Sequence, residues 1–164
     1  AEGLVFLPYL AGERTPHADP EARGAFAGLT LRHDRGALVR AVLEGVAFGL
    51  RDSLDLLRDL GVDADRGRVS GGGTRSTEWL RILASVLELR LERVAVDEGA
   101  AYGGALLAGM AAGVFADAAE AVAACVHPAG IVEPDAAWAA AYPGALETYR
   151  ALYPALRDVP RARA

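Results

Sequence analysis

Apolar and polar positions alternate along this chain in a way that divides it into short strands and longer helices. Gly3–Tyr9 is an apolar run stopped by Pro8 and reads as a short buried strand or extended segment. Leu10–Gly24 breaks the pattern with two prolines and with Glu13, Arg14, His17, Asp19, Glu21 and Arg23. It reads as a long polar loop, the kind of segment that often carries function or an interface. Ala25–Leu29 reads as another strand. From Asp34, a good N-cap, a helix is expected to about Leu60, stopped by Gly61. Val39, Leu43, Val46, Leu50, Leu54 and Leu57 recur at steps of three and four, which predicts a core stripe. Beside it runs a stripe of small residues, Ala41, Gly45, Gly49 and Ser53. Glycine inside a helix costs roughly 1 kcal/mol relative to alanine, a cost that close packing of another element would offset. Arg51, Asp52, Asp55, Arg58 and Asp59 read as a solvated face.

A short strand over Arg66–Ser70 leads into Gly71-Gly72-Gly73, and a helix is expected to start at once, with Ser76 as N-cap and Glu78 acidic in the first turn. Trp79, Leu83, Val86 and Leu87 would form its buried side, and Leu89–Val96 the next strand. The uncharged run Gly99–Ala116 just reaches membrane-spanning length, yet it is mostly alanine and glycine. It reads as a buried helix to about Ala112, then a turn at Gly113. Asp117 caps a short helix through Cys125, His127–Gly130 reads as a turn, and Ile131–Glu133 as a short extended piece. A last helical region opens at Pro134-Asp135 and is expected to break near Pro143, with Leu146, Tyr149, Tyr153 and Leu156 in its stripe and a fraying tail at Arg161–Ala164. Strands alternating with helices predict an α/β layer with parallel strands, extended by the strands near Val5 and Phe26.

Composition narrows the function classes. The chain has 164 residues, enough for one domain with a core, and 52% apolar residues argue against disorder. A net charge of −5 argues against a nucleic-acid or anionic-membrane surface. All 17 basic residues are arginine, which excludes a lysine phosphate clamp or Schiff base within this chain. The single cysteine, Cys125, allows no internal disulfide or cysteine metal cluster and fits a reducing cytoplasm. The opening residues lack a signal-peptide pattern and begin abruptly on an apolar strand, as a piece of a longer chain would.

Three successive glycines need a physical reason, because glycine loses the most conformational freedom on ordering. At a strand end before a helix N-terminus, that reason is either a tight turn alone or an anion such as a nucleotide phosphate, drawn by free N–H groups and the helix dipole. Neither G-x-x-x-x-G-K nor G-x-G-x-x-G is present. A second cluster, Gly99, Gly103 and Gly104, implies either tight helix packing or a ligand. His17, in the polar loop, suits a ligand or base, or a surface or interface position; His33 and His127 lack the spacing of metal ligands. Arg14 and Arg75 suit phosphate or a structural ion pair; Asp97 and Glu98 suit Mg2+ or N-capping. No catalytic acid–base set emerges, and Cys125, in an alanine-rich stretch, reads as inert.

Leu7-Pro8-Tyr9-Leu10-Ala11-Gly12-Glu13-Arg14-Thr15-Pro16-His17, followed by Gly24–Leu29, resembles the C-terminal domain of the FGGY carbohydrate kinases, and within them the xylulokinase branch. Leu43–Ala47, Gly71–Ser76 with Trp79, and Gly103–Ala108 continue the resemblance over nearly the whole chain. It implies an actin-like ATPase (ribonuclease H-like) α/β domain with a mixed sheet flanked by helices, and a first strand pair and an N-terminal domain lying outside these 164 residues. The implied reaction is ATP- and Mg2+-dependent phosphorylation of D-xylulose to D-xylulose 5-phosphate. Its alternatives are a family member acting on ribulose, glycerol or gluconate, and a non-catalytic actin-like binding module. By resemblance, Gly71, Gly72, Gly73 and Ser76 would hold the nucleotide, with Gly72 and Gly73 near the phosphates and ribose and Ser76 near the adenosine. Gly103, Gly104 and Ala105 would lie on a helix against the other domain near the hinge. The Glu13–His17 loop would face the cleft or a homodimer contact, and the catalytic base would belong to the N-terminal domain. The implied partners are ATP, the sugar and that N-terminal domain, with no nucleic acid and no membrane.

Overall fold

A computed structural model describes residues 1–95 and 99–159. Asp34 caps the central helix, its carboxylate accepting from Ala37 N, and α1 spans Arg35–Asp59. Gly61, at φ 87°, follows the helix end as expected. Strands β1 (Val5–Leu7) and β2 (Ala25–Ala27) pair antiparallel. They form their own two-stranded sheet rather than extending a larger one. The reason is the helix beneath them. Leu4 and Phe6 pack on Ala41, while Val5 and Leu7 enter the main core, so β1 is buried on both sides and lies on α1.

The second sheet is mixed. β3 (Arg66–Val69) and β4 (Arg90–Val94) run parallel, joined through α2 (Thr77–Leu87), and β5 (Pro128–Val132) adds antiparallel to β4. β5 includes three of the residues expected in a turn. An edge strand tolerates Pro128, and Gly130, at φ 147°, takes the irregular pairing against Arg93. Helices α3 (Gly99–Ala111) and α4 (Ala118–Cys125) precede β5, with Asp117 capping α4 by accepting from Glu120 N. The last helix, α5 (Ala136–Arg157), is capped by Asp135 and runs unbroken through Pro143 and Pro154. A proline inside a helix costs about 3 kcal/mol. Packing on both sides of Pro143 offsets it: Arg40 and Arg81 lie over the Trp138 ring, and Tyr142 and Tyr149 are buried. Asp97, Glu98 and the Arg161–Ala164 tail fall outside the described residues.

The two stripes of α1 exchange roles relative to expectation. Ala41 and Gly45 are buried, whereas Val39, Val46, Leu50 and Leu57 are exposed and only Leu43 and Leu54 pack partly against the core. A Cβ on Gly45 would run into the Phe6 carbonyl oxygen, and one on Gly49 would lie 3.2 Å from the Tyr149 hydroxyl. Backbone and tyrosine thus approach the helix along its small residues.

Of the expected solvated face Asp59 is exposed, whereas Arg51, Asp52, Asp55 and Arg58 lie in a helix–helix seam. Asp52 is buried and accepts from Arg150 Nε at 2.7 Å, and Asp55 accepts from Arg150, Arg51 and Arg58. Burial raises the Asp55 carboxyl, but hydrogen bonds from Arg150 and Arg51 outweigh it and hold the group below its ordinary value. Buried Glu44 accepts from Arg40 at 2.7 Å and from the Tyr142 hydroxyl at 3.2 Å. Burial, with the Glu44 charge beside it, pushes the Tyr142 phenol to about 12.

Gly45→Ala should destabilise the full-length protein by about 1–3 kcal/mol, because the added methyl meets backbone that has no rotamer to yield. Gly49→Ala, facing only a hydroxyl at the end of a side chain, should cost less. Urea denaturation of the two variants against the parent measures the difference.

Candidate functional site

The glycine turn sits where β3 leaves the sheet, beside the C-terminal end of parallel β4. Such strand ends are where open α/β sheets bind ligands. The chain does not pass straight into α2 as expected. Gly72–Arg75 forms one turn of 3-10 helix, closed by Thr74 N donating to Gly71 O, by the Thr74 hydroxyl donating to the same oxygen, and by Ser76 N donating to Gly73 O. Ser76 then caps α2, its Oγ accepting from Trp79 N at 3.1 Å.

The three glycines are required for different reasons. Gly71 takes φ 93°, a conformation side chains rarely adopt. A Cβ on Gly73 would sit 3.2 Å from Trp79 Nε1, so the turn rests on the indole. Gly72 has no positive φ and nothing within 4 Å of where its Cβ would be. It is exposed, as are Gly73 and Ser76. The N–H groups of Gly72 and Gly73 have no protein partner among the described residues. Two free donors at a bare, exposed position are what an anionic oxygen needs for close approach.

Sequence reasoning passed over Arg93. It pairs in register with Val69, the residue before the turn, and its Nη2 donates to Thr77 Oγ1 at 3.1 Å. Its Nε is buried without a hydrogen-bond partner. The signal was a charge in the alternating pattern of β4, at a position level with the last residue of β3.

The two glycine clusters do meet. A Cβ on Gly99 would lie 3.2 Å from Ser70 Oγ, and below α3 a cavity of about 200 Å3 is lined by Ser70, Val94, Tyr102, Gly103, Leu106 and His127. Gly71, Gly72, Gly73 and Ser76 do not line it. Among the described residues, nothing lies within 4 Å of a Cβ on Gly103 or Gly104, so packing against those residues does not require them. Cys125 is half-buried at the cavity edge, and its carbonyl accepts from the Tyr102 hydroxyl. His33 is tied into a local turn by Thr30 N. The Glu13 carboxylate accepts from Thr15 N. No group of three His, Cys, Asp or Glu among the described residues is placed to hold a metal. No helix among them is long and apolar enough to cross a membrane.

The sequence profile of the FGGY family of carbohydrate kinases, C-terminal domain, matches residues 1–112. The xylulose kinase of Escherichia coli is 42% identical over 154 residues, covering 93% of this chain and 32% of that protein. Among solved structures, a xyloylose kinase from Brucella ovis superposes with a TM-score of 0.86 at 41% identity, over 96% of this chain and 32% of the other. A gluconate kinase from Lactobacillus acidophilus gives the same TM-score at 28% identity, with the same coverage. The chain spans about a third of the length of the curated relatives it matches. The actin-like ATPase fold, a mixed sheet flanked by helices, is the one it shares with these kinases.

The turn predicts three different responses in the full-length protein. Gly71→Ala should cost about 1–2 kcal/mol through its left-handed backbone, and Ser76→Ala about 1 kcal/mol through the lost cap. Gly72→Ala should stay within about 0.5 kcal/mol of the parent, since its methyl would enter open space. Chemical denaturation of the three variants checks the order.

Proposed function

The chain belongs to the FGGY family of carbohydrate kinases, as its C-terminal domain, and we propose that it forms the nucleotide-binding wall of an ATP-dependent kinase of D-xylulose. The observation that carries this reading is Gly72: exposed, and with no partner for its N–H or that of Gly73 and no contact that demands a glycine among the described residues. A phosphate oxygen can approach that backbone as no side chain would allow. Gly71 supplies the left-handed bend that turns these donors outward, and Gly73 seats the turn on Trp79. Ser76 Oγ is engaged as an acceptor by Trp79 N, which leaves its proton free to donate to the nucleoside. Arg93 and the N-terminal end of α2 add positive charge nearby.

Phosphoryl transfer depends on positioning and charge stabilisation more than on covalent chemistry. Splitting ATP and sugar between two domains lets closure exclude water before transfer. In this reading the upstream part of the protein supplies the sugar site, the catalytic base and the first strands of this domain. The exposed Val39, Val46, Leu50 and Leu57 on α1 and the open edge of β3 offer those strands a surface and a pairing edge. Mg2+ would arrive with the nucleotide's phosphates, bridging them and neutralising developing charge. The enzyme would act in the cytoplasm, and a homodimer is the assembly to seek by sedimentation of the full-length protein. D-xylulose is preferred over gluconate because the Escherichia coli xylulose kinase and the Brucella ovis xyloylose kinase are 42% and 41% identical to this chain, against 28% for the gluconate kinase; the fold itself does not choose, since the gluconate kinase superposes equally well.

Gly72→Trp in the full-length protein should raise the ATP dissociation constant at least tenfold, about 1.4 kcal/mol, with the circular dichroism spectrum unchanged. Equal ATP binding by the variant and the parent would remove the turn from the nucleotide site. A panel of D-xylulose, D-ribulose, glycerol and gluconate should show the highest kcat/KM for D-xylulose.

A further inference from the structure

The loop between β1 and β2 is tied to the last helix by an aromatic cluster that the nucleotide site does not use. The His17 ring stacks on Tyr153 of α5, with ring centroids 3.7 Å apart and planes 8° from parallel. Tyr9, at the end of β1, meets His17 edge-on at 5.6 Å. The Tyr153 hydroxyl donates to Asp19 Oδ2 at 3.1 Å, two residues beyond His17, and the Tyr149 hydroxyl donates to that of Tyr9 at 3.2 Å. Within the loop, Glu13 and Asp19 exchange backbone hydrogen bonds, and Ala18 N donates to Arg14 O. Between those anchors Arg14, Thr15 and Pro16 are exposed.

We propose that the His17–Tyr153 stack is a proton-sensitive latch that holds the Leu10–Gly24 loop against α5 and releases it when the imidazole is protonated. Among the described residues, the groups around the ring are Glu13 and Asp19 on the loop, Tyr9 after β1, Asp52 on α1, and Tyr149 and Tyr153 on α5. Asp52 is already paired with Arg150. Burial lowers the His17 pKa from its ordinary 6.5, although the charges of Asp52, Glu13 and Asp19 pull the other way. A base whose pKa is lowered in the closed form closes best when neutral. The latch therefore holds fully above the ordinary imidazole range and weakens as pH falls below it. Release frees the loop that joins β1 to β2, and with it the segment that carries Arg14.

Hydrogen exchange of the full-length protein at pH 7.5 and 5.5, corrected for intrinsic rates, tests the latch on peptides covering residues 10–24. The parent should lose several-fold protection at the lower pH. His17→Phe keeps an aromatic ring on Tyr153 but cannot titrate, and should be equally protected at both. His17→Ala should be weakly protected at both. Unchanged protection in the parent across the two pH values overturns the proposal, and so does an equal loss in His17→Phe.

Discussion

The absence of a side chain at Gly45 sets the rest of the structure. It lets the Phe6 carbonyl rest on the backbone of α1, which fixes both the position of β1 and the rotation of the helix about its own axis. Once that face points to β1, Glu44 and Asp52 are carried into contact with α5. A buried carboxylate is tolerated only when paired and hydrogen-bonded. Arg40, Tyr142 and Arg150 provide those partners, so the ion network follows from the close approach rather than competing with it. The same rotation turns Val39, Val46, Leu50 and Leu57 outward.

The glycine turn follows a different logic, because its residues answer to local geometry as well as to packing. Gly71 is fixed by its dihedral and Gly73 by Trp79, and both would be explained in a chain that bound nothing. Gly72 is not explained that way. Its freedom from contact, together with two unpaired N–H groups, separates a turn that merely reverses the chain from one that leaves room for a ligand.

What was legible in the sequence was what depends on neighbours in sequence. Asp34, Ser76 and Asp117 each cap the helix they precede, because a cap needs only a side chain and an N–H two or three residues on. Periodicity located α1 but could not orient it: the large aliphatic stripe and the small one are both periodic, and only the path of β1 chooses between them. The separate β1–β2 sheet, the pairing of β5 and the continuity of α5 through Pro143 are likewise decided by contacts far apart in sequence. At the site, the strand, the turn and Ser76 were readable from pattern and capping chemistry. The glycine turn alone left a bare turn and an anion such as a nucleotide phosphate both open, and the resemblance is what favours the nucleotide. Arg93 escaped because its role depends on its register with Val69 in a parallel pair.

Helix α3 shows how the two kinds of glycine connect. A helix that faces water on most sides normally carries charge, and one apolar all round belongs in an interior. Gly99–Ala111 has no charged residue, yet none of its residues is buried in this chain. Gly103 and Gly104 cost helix stability without meeting any atom that would need their smallness. Both features make sense if a second layer packs on α3 in the whole enzyme, as the proposed two-domain kinase requires. A Cβ on Gly99, the first residue of that helix, would lie 3.2 Å from Ser70 Oγ, beside the glycine turn. A layer that moved α3 would therefore act beside Ser70, two residues before Gly72, the first N–H proposed to receive the phosphates. In the proposed kinase, that contact would give domain closure a physical route to the nucleotide through the Ser70 side chain and the bare backbone of Gly99.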